Sequence, residues 1–187
     1  MEFELDKIKK VRLDLGCGKD KKLGCIGIDI RKQPSVDIVM DLNKGISLDE
    51  NSVDYIYTAH FLEHADNYDL LMKEIYRVCK NGAILEIYVP HFSGISAFQE
   101  DHKRFFRYDC FKCFDHDTSN IMTYDPNFKV LKKELHLYRR WYLPLNPIME
   151  RLLKVNKRFN SFFEMTPLRN FFPVFEVYTK LKVIKNE

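Results

Sequence analysis

VRLDLGCG, residues 11–18, is the stretch of sequence that decides the fold. A short apolar strand ends here in a Gly-x-Gly turn, and an open parallel sheet usually binds its ligand at such a strand end. Because glycine has no Cβ, this turn lets a ligand approach the backbone closely. The motif therefore predicts a ligand site at the carboxyl end of the first strand.

The rest of the chain alternates short strands with turns and few helices. Further strands are predicted over residues 25–30, 36–40, 53–58, 83–89, 128–137 and 174–184. Apolar residues at helical spacing predict a helix over residues 70–78 that ends before Asn81-Gly82, and a short helix is predicted at 108–114. Residues 140–173 are interpreted as a partly helical insertion whose aromatic side chains pack over the sheet. This pattern is typical of an α/β fold with a parallel sheet.

Acidic residues stand at the ends of three consecutive strands. Asp14 precedes the glycines, Asp29 closes the second strand, and Asp41 follows the third. Because the carboxyl ends of parallel strands share one edge of the sheet, we expect these carboxylates to converge. The second can accept hydrogen bonds from both hydroxyls of a ribose, and the third from an adenine amine.

A dinucleotide site is the main alternative for this turn. Its fingerprint requires a third glycine where this chain has Lys21, followed by a helix that holds the pyrophosphate. Only residues 19–24 separate the glycines from the second strand, which is too few for a crossover helix. A cofactor that lacks phosphate and carries a positive sulfonium suits the three acids better.

Five motifs in this order resemble the class I S-adenosylmethionine-dependent methyltransferases, in particular the type 11 small-molecule branch. They are LDLGCG at 13–18, GID at 27–29, DL at 41–42, SVDYI at 52–56 and HFLEH at 60–64. The resemblance implies a Rossmann-like, mostly parallel sheet of seven strands in the order 3-2-1-4-5-7-6, with the last strand antiparallel. We expect one domain over residues 1–187, with the cofactor half at 10–90 and the acceptor-side loop and helical insertion at 91–173.

The resemblance also implies which residues bind S-adenosylmethionine and release S-adenosylhomocysteine. The Gly-x-Gly turn would line the methionine and ribose side, and the segment at 60–64 would close over the cofactor. The positions implied are Asp14, Gly16, Cys17, Gly18, Asp29, Ile30, Asp41, Leu42, His60, Leu62 and His64. The chain departs from the family in its first helix, which a lysine-rich turn at residues 19–22 replaces.

The loop after the fifth strand, residues 90–107, is predicted to lie over the acceptor. His91 and His102 are candidates for a general base or a substrate clamp, and Asp101 could orient an imidazole. Arg104 could meet an anionic acceptor. A loop tied down by its own ion pairs is an equally good interpretation. A metal bound by the two histidines and Asp101 is a minor alternative, and no metal is predicted.

Two further segments bear on the acceptor. Trp141 and Tyr142 in the insertion are expected to wall the acceptor pocket. Cys110, Cys113 and His116 have a spacing that can bind zinc, but no fourth ligand is evident. We favour a helix whose small cysteines pack inward.

Composition and charge limit the function classes. The 45% apolar and 30% charged residues fit one globular domain. We expect neither a secretory leader nor a membrane span, because the start MEFELDKIKK has no apolar signal core and no apolar run reaches the roughly 20 residues that a bilayer requires. The odd number of five cysteines predicts free thiols and a cytoplasmic protein. Residues 126–187 carry 13 basic and 5 acidic groups, which we interpret first as a solvated face.

These observations favour a methyltransferase that acts on an oxygen or nitrogen of a small molecule. One alternative is an RNA methyltransferase, although nucleic acid is not expected as a partner because the fourth strand runs into Thr58-Ala59-His60 instead of a base-amine tetrapeptide such as Asn-Pro-Pro-Tyr. The other is a cofactor-binding partner subunit without activity. The sequence leaves the acceptor and the oligomeric state open.

Overall fold

A computed structural model of the chain describes residues 10–115, 127–138, 145–155 and 157–185. The strands are β1 Arg12–Leu15, β2 Ile26–Asp29, β3 Ile38–Val39, β4 Val53–Ala59, β5 Cys79–Pro90, β6 Phe128–Leu137 and β7 Val174–Val183. The helices are α1 Tyr68–Val78, α2 Asn146–Val155, α3 Lys157–Met165 and α4 Leu168–Phe171. Short 3-10 turns occur at Leu42–Lys44, Leu62–His64, Ile95–Phe98 and Lys112–Phe114.

The strands form one sheet in the order β3-β2-β1-β4-β5-β7-β6. β1 to β5 pair in parallel, and β7 runs antiparallel to both β5 and β6. The predicted sheet order and the antiparallel last strand are confirmed. Since β7 enters beside the end of β5, where Pro90 lies opposite Glu176, the first residues of β7 lie at the same edge as the Gly-x-Gly turn.

Helix α1 covers part of one face of the sheet. It begins after Asn67, whose side chain accepts a hydrogen bond from Leu70 N at 3.0 Å, as an N-cap residue does. Its apolar face buries Leu71, Met72 and Ile75 completely or almost so. The helix ends at Val78, which agrees with the predicted helix.

Two strand boundaries differ from the prediction. β3 spans only Ile38–Val39, and β5 begins at Cys79 instead of residue 83, so Asn81-Gly82 lies inside the strand. Gly82 takes a left-handed φ of +81°, and the pairing of β4 with β5 is irregular between Val53 and Tyr55. The Asn-Gly signal therefore marks an irregularity in β5 instead of a loop before it.

The connection between β1 and β2 contains no helix, as the sequence predicted. Asp14 accepts a hydrogen bond from Lys22 N at 2.7 Å, and Gly16 N donates to the carbonyl of Ile28 at 2.9 Å. These bonds fold the lysine-rich turn directly back onto the strand ends. The cofactor half therefore lacks the first crossover helix of the related fold.

The insertion packs over the sheet less completely than expected. Leu153 and Phe163 are buried, but Phe162 and Phe171 are 55% and 71% exposed, so not every aromatic residue of the insertion reaches the core. The predicted helix at residues 108–114 contains only the 3-10 turn Lys112–Phe114. His116, Trp141 and Tyr142 lie outside the described residues.

The described helices are all too short or too polar to cross a bilayer.

Candidate active site

A cleft of about 420 Å³ lies at the carboxyl ends of the first four strands. Eight of the residues predicted to bind the cofactor line it: Gly16, Gly18, Asp29, Ile30, Asp41, Leu42, His60 and His64. The other lining residues are Arg31, Gln33, Met40, Asn43, Phe61, Asp101 and Lys103. The structure thus brings the strand-end motifs together around one space.

The Gly-x-Gly turn shapes one wall of this cleft. Gly16 has a φ of +67°, and a Cβ at this position would lie 2.4 Å from the ring of Phe61. Gly18 also has a positive φ, but a Cβ there would meet no atom within 4 Å. Glycine is therefore required at position 16 both by its left-handed conformation and by the contact with Phe61. At position 18 only the left-handed conformation favours glycine.

Asp29 is held by backbone amides. Its Oδ2 accepts a hydrogen bond from Gly18 N at 3.0 Å, and its Oδ1 accepts from Arg31 N at 2.9 Å. Each carboxylate oxygen has a second lone pair. Asp29 can therefore still accept hydrogen bonds from two ribose hydroxyls.

Asp41 and Leu42 form the next part of the wall. Asp41 caps a 3-10 turn by accepting from Asn43 N at 3.1 Å, and the side chain of Leu42 is buried beside it. A carboxylate next to an apolar side chain suits a flat heterocycle with an exocyclic amine. This geometry is compatible with the predicted contact to adenine.

Three predicted cofactor residues do not line the cleft because they are buried behind it. Leu62 lies in the core, and burial raises the pKa of the Cys17 thiol to about 11. Asp14 is only 2% exposed, and its burial raises the pKa of the carboxyl from the ordinary 3.8 to about 6, against the hydrogen bond from Lys22 N. These three residues support the wall of the cleft and do not form its surface.

His60 follows β4 with a left-handed φ of +52°, an unusual conformation for a residue with a side chain. Its Nε2 lies 3.1 Å from Oε2 of Glu176, and its Nδ1 lies 3.6 Å from Oε1 of Glu63. The hydrogen bond with Glu176 and the nearby carboxylate of Glu63 raise the pKa of the imidazole to about 9. His60 thus joins the cofactor cleft to the start of β7.

Beyond Glu176 lies a second cavity of about 430 Å³. It is lined by His136, Leu137, Tyr138, Glu150, Lys154, Phe175 and Glu176. His136 Nδ1 lies 2.9 Å from Oε1 of Glu176. Burial opposes ionisation of Glu176, but its hydrogen bonds with His136 and His60 lower the pKa of this carboxyl to about 2.

Glu176 and His136 are site residues that the sequence analysis missed. The two residues lie opposite each other in the pairing of β6 with β7, and Glu176 lies opposite Pro90 in the pairing of β5 with β7. Both pairings follow from the order of the terminal strands. Neither residue belongs to a local sequence motif, so only the register of β7 against β5 and β6 could have placed them at the site.

The structure corrects two predicted roles in the loop after β5. His91 is completely buried, with Nε2 at 2.8 Å from Glu164 Oε1 and Nδ1 at 2.8 Å from Ser93 Oγ, and it does not line the cleft. Arg104 donates to the carbonyls of Leu62 and Ala65. These contacts secure the loop and the insertion, so neither side chain faces an acceptor in either cavity.

The other two predicted loop residues lie near the cleft. Asp101 lines it and contacts His64, with Oδ2 at 3.2 Å from Nδ1. The His102 side chain is 4% exposed and packs edge-on against the ring of His64, with the ring centroids 4.7 Å apart. The loop therefore brings His102 and Asp101, but not His91, to the turn after β4.

The donor set of the cleft fits S-adenosylmethionine. Two strand-end carboxylates can hold a ribose and an adenine amine, and the space in front of Gly18 is open. No helix begins at the Gly-x-Gly turn within the described residues 16–25, so the cleft lacks the usual pyrophosphate site.

Residues 13–87 match the family model described as a methyltransferase domain. This segment is therefore similar to S-adenosylmethionine-dependent methyltransferase domains. S-adenosylmethionine is the cofactor of this domain. The cleft at the ends of β1 to β4 lies within the matched segment, apart from the contributions of Asp101 and Lys103.

Solved structures share this fold along most of the chain. An S-adenosylmethionine-dependent methyltransferase from Archaeoglobus fulgidus has a TM-score of 0.62 at 20% identity, over 92% of this chain and 86% of that one. One from Aquifex aeolicus has a TM-score of 0.56 at 12% identity, over 94% and 82%.

A third structure contains two bound small molecules. It is phosphoethanolamine N-methyltransferase 2 from Haemonchus contortus in complex with phosphomonomethylethanolamine and S-adenosylhomocysteine. Its TM-score is 0.54 at 13% identity, over 95% of this chain and 49% of that one. At these identities the likeness shows the fold. Among curated proteins, none matches this chain.

Proposed function

We propose that this domain transfers the methyl group of S-adenosylmethionine to an oxygen or nitrogen of a small molecule bound in the second cavity. The observation that carries the proposal is the His60–Glu176 contact, because His60 lines the cofactor cleft and Glu176 lines the second cavity. One hydrogen-bonded pair thus separates two spaces of similar volume. An acceptor and a cofactor on either side of it would meet at this pair.

When bound, S-adenosylmethionine would supply an electrophilic methyl group, whose bond to sulfur would break as the acceptor's lone pair forms the new bond, so that S-adenosylhomocysteine would leave as a neutral thioether and the acceptor's proton would pass to water. The residues of the chain mainly have to align the reactants and exclude water. Asp29 and Asp41 hold the nucleoside from one side of the cleft.

The second cavity offers groups that suit a polar acceptor. Glu176 can accept a hydrogen bond from an acceptor hydroxyl or ammonium, while Leu137 and Phe175 supply apolar wall. Lys154 forms an ion pair with Glu150 at 2.9 Å, so the cavity contains charges of both signs. This mixture favours a small molecule with polar and apolar parts over a uniformly anionic polymer.

The thiols support a cytoplasmic location for this activity. All five cysteines are unpaired, and three of them are buried. Free thiols persist where the compartment is reducing.

Calorimetric titration with S-adenosylmethionine and S-adenosylhomocysteine, with NAD as the control ligand, tests the cofactor side. We expect Asp29→Asn to weaken binding of the sulfur cofactors about tenfold or more, because a charged acceptor of hydrogen bonds is lost. Asp54→Asn is the matched control, since Asp54 also accepts a backbone hydrogen bond, from Val11 N, but lies outside the cleft. Binding of NAD alone would contradict the proposal.

A screen for release of S-adenosylhomocysteine with small hydroxyl and amine compounds tests the acceptor side. With an acceptor in hand, Glu176→Gln should lower turnover about tenfold or more while cofactor affinity changes little. Glu134→Gln is the control, because Glu134 contacts His136 at 3.3 Å without lining the second cavity. Tight cofactor binding without turnover on any compound would favour a non-catalytic subunit.

A further inference from the structure

Glu63 is a buried carboxylate without a hydrogen-bond donor. The residue lies in the 3-10 turn Leu62–His64, its exposure is 0%, and neither of its oxygens has a hydrogen-bond partner among the described residues. The nearest cationic atom is Nδ1 of His60, at 3.6 Å. A buried charged group normally has several hydrogen bonds or an ion, because its burial otherwise costs several kcal/mol.

His102 stands beside Glu63 and is also incompletely satisfied. Its Nε2 lies 4.0 Å from Oε1 of Glu63, and its buried Nδ1 has no hydrogen-bond partner in the part of the chain that the structure describes. His64 completes the group. One ligand atom from each of the three residues can be chosen so that all lie within 4.8 Å of one another, close enough to surround one ion.

We propose that Glu63, His64 and His102 bind one divalent first-row transition-metal ion, with Zn²⁺ as the first candidate. Two imidazoles and one carboxylate are a donor set that binds Zn²⁺ or Fe²⁺, whereas Mg²⁺ and Ca²⁺ prefer oxygen ligands alone. Three protein ligands leave a coordination position open. Such a site serves chemistry more often than it serves structure.

The surrounding contacts organise these ligands. Asp101 Oδ2 lies 3.2 Å from Nδ1 of His64, and a carboxylate partner of this kind fixes the ring of a metal-binding histidine. Lys103 N donates to the carbonyl of Glu63 at 2.9 Å, and Arg104 donates to the carbonyls of Leu62 and Ala65. These bonds secure the loop that carries His102 against the turn that carries Glu63 and His64.

The position of the site suggests what the ion would do. His64 lines the cofactor cleft, and Glu63 lies 3.6 Å from His60, so the ion would lie near the His60–Glu176 pair at which cofactor and acceptor are proposed to meet. An ion there would lower the pKa of an acceptor hydroxyl that reaches its open position. This step rests on the proposed function and narrows the acceptor to a hydroxyl compound.

Titration of the metal-free, full-length protein with Co²⁺ and Zn²⁺ tests the site without any turnover. We expect one ion per chain, visible absorption bands of bound Co²⁺, displacement of Co²⁺ by Zn²⁺ and a higher Tm with Zn²⁺. Excess Mg²⁺ should not displace Co²⁺. Absence of saturable Co²⁺ and Zn²⁺ binding would overturn the proposal.

Variants locate the ion. Glu63→Gln and His102→Gln should each weaken Co²⁺ binding about 100-fold or more, and Asp101→Asn about tenfold. His136→Gln is the matched control, because this histidine also contacts a glutamate but lies outside the cluster, and its Co²⁺ affinity should stay as in the wild type. Co²⁺ binding that survives in both Glu63→Gln and His102→Gln would refute the assignment.

Titration with S-adenosylmethionine separates failure of the metal site from failure of the proposed function. If the variants bind the cofactor but not Co²⁺, they are folded and the metal site is supported. If the wild type binds Co²⁺ but not the cofactor, the proposed function fails and the metal site stands. If the wild type binds only the cofactor, the metal site alone is wrong.

Discussion

Residues 10–90 and residues 91–185 build their parts of the site in different ways. In the first region the polar bonds around the Gly-x-Gly turn are local: Asp14 accepts from an amide 8 residues away and Asp29 from one 11 residues away. In the second region they join distant segments. His91 contacts Glu164 across 73 residues, and Glu176 contacts His60 across 116.

This difference follows from which contacts build each part of the site. A strand end and the turn behind it are specified by neighbouring residues, so a short motif contains most of the information. The second cavity requires β7 to enter antiparallel beside β5, and it also requires α2 to supply Glu150 and Lys154. Substitutions in the first region should therefore act on cofactor binding. Substitutions in the second region should act on the packing of helices and of β7 against the rest of the sheet.

The largest effect is expected from Gly16→Ala. The new Cβ would overlap the ring of Phe61 at 2.4 Å and would force alanine into a left-handed conformation. We expect a loss of about 3 kcal/mol in the free energy of unfolding, from overpacking plus backbone strain, together with loss of cofactor binding. Urea denaturation and calorimetry with S-adenosylmethionine measure both.

Gly18→Ala is the matched control for this overlap. It carries the same left-handed backbone, but its Cβ meets no atom within 4 Å, so only about 1 kcal/mol of strain is expected. Equal destabilisation by the two alanines would show that the contact with Phe61 contributes nothing.

Asp14→Asn should make the protein more stable at neutral pH. Burial raises the pKa of Asp14 from 3.8 to about 6, opposed by Lys22 and Lys21 and assisted by Asp29. The folded state therefore holds the proton more tightly than the unfolded state. The stability that the bound proton contributes to the folded state is greatest below pH 4 and is lost as the pH rises to 6. At neutral pH the ionised Asp14 therefore lowers the free energy of unfolding by roughly 3 kcal/mol.

Urea denaturation of wild type and Asp14→Asn across this pH range checks the sign. The advantage of the asparagine variant should appear as the pH rises from about 4 to 6 and stay constant above that range. An advantage that is the same at pH 4 and at pH 7.5 would show that the carboxyl is not perturbed.

The cofactor half could largely be predicted from the sequence. Asp29 and Asp41 line the cleft because parallel strands end at one edge, and this rule needs no knowledge of distant contacts. The errors there concern depth: Asp14, Cys17 and Leu62 belong to the right motifs but are buried. A motif gives the order of residues along the chain, whereas burial depends on what packs behind them.

The acceptor half could not be predicted in the same way. The loop after the fifth strand predicts His91 as a general base or a substrate clamp, yet helix α3 covers this residue and supplies Glu164. Glu176 was missed because nothing near it in the sequence marks a site. In both cases the role depends on an element more than 70 residues away, whose position no local pattern specifies.

The smallest expected effect tests that dependence directly. Glu164 accepts a hydrogen bond from Tyr108 N at 2.6 Å and lies 2.8 Å from His91 Nε2. It therefore holds α3 against His91 and against the backbone at Tyr108. Glu164→Ala should lower the free energy of unfolding by about 2 kcal/mol, because a buried amide loses its acceptor. Hydrogen exchange should increase in α3 while S-adenosylmethionine affinity stays near that of the wild type, and Glu164→Gln should restore part of the protection. If Glu164→Ala instead abolished cofactor binding without affecting exchange in α3, the two regions would not be separable and the cofactor cleft would depend on the insertion.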